Sequence, residues 1–149
     1  MAVLIDTSIL GRLANRSDAA HGLAQMAVAK LHQRGEVLHI TAQNLIEFRN
    51  FATRPTGANG LGLDSRTAVT LAATFEAAFP LLEETPAIYP AWRTLVDTLG
   101  VVGKQVHDAR IVAVCHVHGV SQLLTFNVAH FARLAIATPA VALLNPATV

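Results

Sequence analysis

The sequence predicts an α/β domain, a five-stranded parallel sheet with helices on both faces. Three observations carry this. The N-terminal run Ala2-Val3-Leu4-Ile5 is continuously apolar and breaks at Asp6-Thr7-Ser8, the pattern of a strand buried on both faces. Short apolar segments then alternate with amphipathic stretches along the whole chain, as strand–helix–strand units require. The composition, 52% hydrophobic and 14% charged over 149 residues, supplies enough apolar surface for a core on both sides of such a sheet. The length suits one domain, taken as residues 1–149.

The elements follow in order. After the first strand, Ile9 to Asn15 suits a short helix. Asp18 is placed to cap a longer one, in which Leu23, Met26, Ala27, Lys30 and Leu31 recur at three and four residues and Gly35 ends the run. Val37 to Thr41 is the second strand, and Ala42 to Ala52 a third helix stopped by Pro55. Thr56 to Leu63, with three glycines, reads as a flexible loop. Asp64 caps a fourth helix to Ala78, and Phe79 to Leu82 is the third strand. Pro86 opens a fifth helix that Gly100 closes, and Lys104 to His118 is a sixth, ended by Gly119. Gln122 to Phe126 is the fourth strand, Val128 to Leu134 one or two helical turns, and Ala140 to Leu144 the last strand. Right-handed crossovers place the C-terminal ends of all strands on one edge, where open α/β sheets bind ligands. The order of the strands does not follow from the pattern.

Composition excludes several functions. A net charge of +1 rules out a basic arm that grips nucleic acid by charge alone. The single cysteine, Cys115, allows no internal disulfide and lies among Ile111, Val112 and Val114 as a buried thiol. There is no signal-peptide pattern and no apolar run near the roughly 18 residues of a membrane span, so a cytoplasmic location is expected. The glycines of the 56–63 loop do not form a phosphate-binding motif, and neither H-E-x-x-H nor G-x-S-x-G occurs. His116 and His118 are two apart on a helix and make a poor zinc pair.

Most of the ten acidic residues fall at caps, turns or polar faces. Three do not. Asp6 ends an apolar strand. Glu47 interrupts Leu45-Ile46-Glu47-Phe48, with Asn44 one turn before it on the same helix face. Asp108 shares a face with Ile111, Val112 and Cys115. Each has an ordinary reading: Asp6 as a helix cap, Glu47 as a solvated position, Asp108 as the partner of Lys104 one turn away. Together, three carboxylates in apolar contexts near one sheet edge favour a shared cation. Oxygen-only ligands suit Mg²⁺ or Mn²⁺.

The ordered series Val3-Leu4-Ile5-Asp6-Thr7-Ser8, Gln43-Asn44-Leu45-Ile46-Glu47-Phe48, His107-Asp108-Ala109-Arg110-Ile111-Val112-Ala113 and Leu124-Thr125-Phe126-Asn127 resembles the PIN-domain ribonucleases, and most of all the VapC-type toxins of bacterial toxin–antitoxin pairs. The resemblance implies a three-layer α/β/α sandwich whose five-stranded parallel sheet has the order 3-2-1-4-5. It assigns Asp6, Glu47 and Asp108 to a catalytic, metal-binding cluster, and matches Thr7 or Ser8 and Thr125 to hydroxyl positions beside it, with Asn44 in support. Its fourth acidic position falls at Asn127, which offers oxygen without charge and puts a second metal in doubt. His130 stands where an Asp is common. The resemblance further implies an RNA substrate, Mg²⁺ or Mn²⁺, a cognate antitoxin and a homodimer. Arg12, Arg49, Lys104 and Arg110 are candidate phosphate contacts. The alternatives are a catalytically weak RNA- or protein-binding module of the same fold, a haloacid-dehalogenase-type phosphohydrolase, which wants an Asp where Ser8 stands, and a receiver-like domain, whose lysine is missing at Leu144-Asn145-Pro146.

Overall fold

The first strand, β1 (Ala2–Ile5), runs through the middle of the sheet, and its pleat decides the layers. Successive side chains of a strand point to opposite faces. Val3 and Ile5 enter one apolar cluster, Leu4 the other, and all three are fully buried. The structure, a computed structural model, describes residues 1–149.

Four helices cover the Val3 face: α1 (Thr7–Ala14), α2 (His21–Gln33), α3 (Ala42–Thr53) and α4 (Ser65–Ala78). Ile9 and Leu10 of α1, Ala24, Ala27 and Leu31 of α2, Phe48 and Ala52 of α3 and Phe75 of α4 fill this core. Phe48 meets Phe75 edge to face, with centroids 5.0 Å apart. Gly11 lets α1 and α3 approach, because a Cβ there would lie 3.1 Å from the Phe51 ring. The opposite face is covered by α5 (Ile88–Leu99), α6 (Gln105–His118) and α7 (Val128–Ala135), which bury Leu95, Ile111, Val112, Cys115, Phe131 and Leu134. The three-layer α/β/α sandwich therefore stands.

The strands β2 (Val37–His39), β3 (Gln122–Leu124) and β4 (Ala142–Leu144) join β1 in the order β2-β1-β3-β4, all parallel. The sheet has four strands, not the expected five. Phe79–Leu82 is reduced to one parallel bridge, Ile40 to Leu81, outside β2. Pro80 has no N–H to donate, and Phe79 is the C-cap of α4, its N–H on the Phe75 carbonyl. Two bonds remain, Ile40 N to Pro80 O at 3.2 Å and Leu82 N to Ile40 O at 2.8 Å. The bridge nevertheless occupies the place that the expected order 3-2-1-4-5 gives its third strand.

Smaller differences have local causes. The second strand ends early because Thr41 leaves it to cap α3 in a capping box with Asn44. Asp18 does not cap α2; its carboxylate accepts from Ala20 N at 2.8 Å in a turn, and the helix starts at His21. The fifth helix begins at Ile88, two residues after Pro86. The 56–63 loop is pinned to α3 and the residue after it, with a 3₁₀ turn at Thr56–Ala58 and amides of Leu61, Gly62 and Leu63 on the carbonyls of Phe51, Arg54 and Ala52. No helix is long and apolar enough to cross a membrane.

Candidate active site

From β1 the chain crosses to β2 on one side; β3 lies on β1's other side and leads on to β4. Such a divergence opens a crevice at the C-terminal ends of the two central strands. Asp6 follows β1 there, and Thr125 follows β3. The two ends are tied by Asp6 N to Leu124 O at 2.9 Å. Asp6 is 6% exposed and Thr125 fully buried.

Asp6 is the N-cap of α1, so the ordinary reading of this residue is correct as far as it goes. All the hydrogen bonds to its side chain converge on one oxygen. Oδ2 accepts from Ser8 Oγ at 2.7 Å, Thr125 Oγ1 at 2.8 Å and, more weakly, Ser8 N at 3.4 Å. Capping thus leaves Oδ1 for another partner. The hydroxyls are themselves held: Thr125 Oγ1 accepts from Asn127 N at 2.9 Å, and Ser8 Oγ accepts from Phe126 N at 3.2 Å.

Glu47 is half-buried on α3 and fixed from two sides. Thr7 Oγ1 donates to its Oε1 at 2.7 Å, and Gln43 Nε2 to its Oε2 at 3.2 Å. Behind Thr7 stands Asn44, fully buried. Asn44 Nδ2 donates to Thr7 Oγ1 at 3.1 Å, while its Oδ1 accepts from Thr41 N and Thr41 Oγ1. The residue that completes the capping box of α3 with Thr41 is therefore also the residue that sets Thr7 against Glu47.

Asp108 is half-buried in the first turn of α6. It forms no ion pair with Lys104, contrary to the simpler sequence reading; the chain's salt bridges lie elsewhere. Burial first, then the charges of Asp6 and Glu47, push its carboxyl up to about 6, against the smaller opposing influence of His130 and His107. Asp108 thus feels both other acids across the crevice.

Asp6, Glu47, Asp108 and Asn127, with Thr7 and Ser8, line one cleft of about 450 Å³. Asn44 and Thr125 stand behind its wall. The acids do not form a ready-made cage: no three His, Cys, Asp or Glu side chains are grouped closely enough to hold an ion between them. Asp6 and Glu47 are each fixed by separate hydroxyls, Ser8 and Thr125 for the one and Thr7 for the other. The donor set is nonetheless all oxygen, with Asp6 Oδ1 and the Asp108 carboxylate open, and such a set fits a hard cation such as Mg²⁺ or Mn²⁺. A depression of similar size on α5, between Tyr89 and Asp97, lies away from these acids.

Sequence reasoning missed Gln43. Its Nε2 bonds Glu47 and also the His107 carbonyl at 2.9 Å, joining α3 to the residue before Asp108. Arg110 donates to Gln43 Oε1 at 3.3 Å, which fixes the amide's orientation. The signal was present, since Gln43 and Glu47 are four apart on one helix face. Arg110 itself pairs with Glu84 at 2.7 Å, and Arg49 lies outside the cleft. Arg12 and Lys104 do line it, joined by Arg54, which sequence reasoning did not single out. Cys115 is buried, as expected, and its thiol is pushed up to about 12.

Fold and site together define an α/β domain with an acidic cleft at the switch point of a parallel sheet. The chain belongs to the PIN domain family, whose model matches residues 3–137. Among solved structures it is similar to VapBC2 from Rickettsia felis, bound to a DNA fragment from its promoter (15% identity, TM-score 0.71, 97% of this chain and 98% of that one). It is similar also to VapBC-1 from nontypeable Haemophilus influenzae (15% identity, TM-score 0.70, 99% and 100% covered). VapC20 of Mycobacterium tuberculosis, described as a sarcin–ricin-loop-cleaving toxin, aligns at 24% identity and TM-score 0.63 over 87% of this chain and 93% of that one. Among curated proteins none matches the sequence.

Proposed function

We propose that this chain is a divalent-metal-dependent endoribonuclease and the toxin of a toxin–antitoxin pair. The observation that carries the reading is the convergence of Asp6, Glu47 and Asp108, from β1's end, α3 and α6, on one cleft. The likeness to VapC and VapBC structures supports the same reading.

Asp6 and Asp108 would hold Mg²⁺ or Mn²⁺, directly or through water, with Glu47 completing the set. A bound ion supplies an acidified water and neutralises charge on the scissile phosphate. The chain's own residues prepare for this. Ser8 and Thr125 satisfy Asp6 Oδ2, so the carboxylate keeps one orientation. Thr7 and Gln43 do the same for Glu47. Asn127 contributes an amide to the cleft lining and no charge, which leaves a second ion in doubt. Hydrolysis leaves a 5′-phosphate and a 3′-hydroxyl, with no covalent link to the protein. The cognate partner is an antitoxin, the working form a homodimer, and the compartment the cytoplasm.

The test is cleavage of total RNA by purified protein. Mg²⁺ or Mn²⁺ is expected to support cleavage, EDTA to stop it, and added Mn²⁺ to restore it; activity that survives EDTA would sink the mechanism. Gln43→Leu should lower the rate about 10-fold, as loss of a group that orients a metal ligand does, and a rate equal to wild type would remove Gln43 from the site. Asn127 favours a second reading, a PIN-fold module that binds RNA or protein and cleaves weakly. RNA binding with no cleavage under any divalent ion would select it.

A further inference from the structure

The cleft that holds Asp6, Glu47 and Asp108 also holds Arg12, Arg54 and Lys104, so its three negative charges are matched by three positive ones. A polyanion cannot approach the carboxylates unless cations line its path. The two arginines are the cations with a built geometry. Arg12 lies over the Phe126 ring, 5.2 Å from its centroid, and Arg54 over Phe51 at 5.8 Å. A guanidinium held over a ring has given up part of its rotamer freedom in advance. Neither is fully engaged within the chain. The Nε atoms of both are buried without a hydrogen-bond partner. Arg12 makes only a long ion pair, Nε to Asp18 Oδ2 at 3.8 Å with no hydrogen bond, and Arg54 gives one bond, NH2 to the Asn59 carbonyl at 3.2 Å. Arg110, by contrast, gives Glu84 two hydrogen bonds, at 2.7 and 3.4 Å.

We infer that Arg12 and Arg54 form a two-point phosphate clamp that seats a single RNA strand along the α1–α3 wall of the cleft, flanking the phosphate presented to the acids. The inference deepens the ribonuclease reading and rests on it. Phe126 and Phe51 are the backing plates. Phe126 directly precedes Asn127, and Phe51 packs against Gly11 of α1. The contact is to phosphate and independent of sequence, so it sets affinity and register and leaves base choice to other groups.

The clamp is measured by the salt dependence of RNA binding. In an Asp6→Asn/Asp108→Asn background, which removes hydrolysis and part of the repulsion, a fluorescein-labelled single-stranded RNA of mixed sequence is titrated by anisotropy across a series of salt concentrations. Each phosphate contact to a single strand contributes about 0.7 to the slope of log affinity against log salt. Arg12→Gln and Arg54→Gln are each expected to lower the slope by about 0.7, and together by about 1.4. Arg12→Lys and Arg54→Lys, which keep the charge, should retain the slope, and Arg66→Gln on the exposed face of α4 should leave it unchanged. Circular dichroism and melting of every variant confirm that each is folded. Unchanged slopes in folded Gln variants, with RNA cleavage by the unmutated protein intact, overturn the clamp and leave the ribonuclease reading standing. A background protein that binds no RNA, together with an unmutated protein that cleaves none, overturns both.

Discussion

Asp108→Asn is expected to abolish RNA cleavage and, without divalent ions, to raise the melting temperature. The two effects have one cause. The folded-state value of about 6, against the ordinary 3.8, means that the fold binds a proton over that interval which the unfolded chain has already released. Stability therefore falls as pH rises from 3.8 to about 6, and the loss is complete above that range. A neutral amide avoids it. Asp108 is only half-buried, so solvent screening reduces the gain to roughly 1 kcal/mol, or about 2–4 °C. The gain should be present above about pH 6 and disappear below 3.8. Added Mg²⁺ or Mn²⁺ should stabilise the unmutated protein and not the variant, because the variant has lost a ligand. The loss of cleavage should be roughly 100-fold or more, since groups that merely orient a metal ligand already cost 10–100-fold. Thermal melts across pH, with and without metal, and a cleavage assay check all of this. A variant that melts lower than the unmutated protein in EDTA would show that Asp108 is not under repulsive strain.

Asn44→Ala is expected to be the most destabilising single change at the site, by about 2–4 kcal/mol, or about 5–10 °C in melting temperature. The side chain has two jobs. Its Oδ1 completes the capping box with Thr41, and its Nδ2 holds Thr7 against Glu47. Truncation leaves the buried Thr41 N–H unpaired and frees Thr7 at once. Thr7→Val separates the two roles. It keeps the cap but removes the hydroxyl from Glu47 and leaves one buried Asn44 Nδ2 N–H unpaired, so stability should fall by about 1–2 kcal/mol, less than in Asn44→Ala, while cleavage falls. Denaturant melts beside initial rates for the two variants make the comparison. Equal stability losses in both would mean that Asn44 acts through Thr7 alone and that its cap contributes nothing.

Much of the fold was legible because it depends on local pattern. The alternation of apolar runs and helices gives the layers, and caps such as Asp64, Gly100 and Gly119 act where their chemistry says they should. The edge strand at Phe79–Leu82 was over-read because apolar content does not reveal that Pro80 removes the donor a ladder needs. Asp18 was over-read for a similar reason. A carboxylate before a helical pattern can turn the chain as readily as cap it, and only the backbone path decides. Arg110 looked free in sequence and is committed to Glu84, 26 positions away. Such pairing is invisible to spacing arguments.

The sequence by itself determined that Asp6, Glu47 and Asp108 are acids out of place. Each sits among apolar neighbours in the sequence, and that is a local property. It determined the layers too, through the alternation of strand and helix. Only the tertiary structure decided that these acids share a cleft. That depends on β1 and β3 being neighbours whose crossovers diverge, and strand order is a long-range outcome that no local period encodes. Tertiary structure also decided that Asp6 caps a helix with one oxygen and keeps the other, that Asn44 serves the helix and Glu47 together, and that Arg12 and Arg54 rest on aromatic rings at the cleft. In each case the deciding partner lies elsewhere in the chain or in the direction a side chain takes, and neither is written in the order of residues.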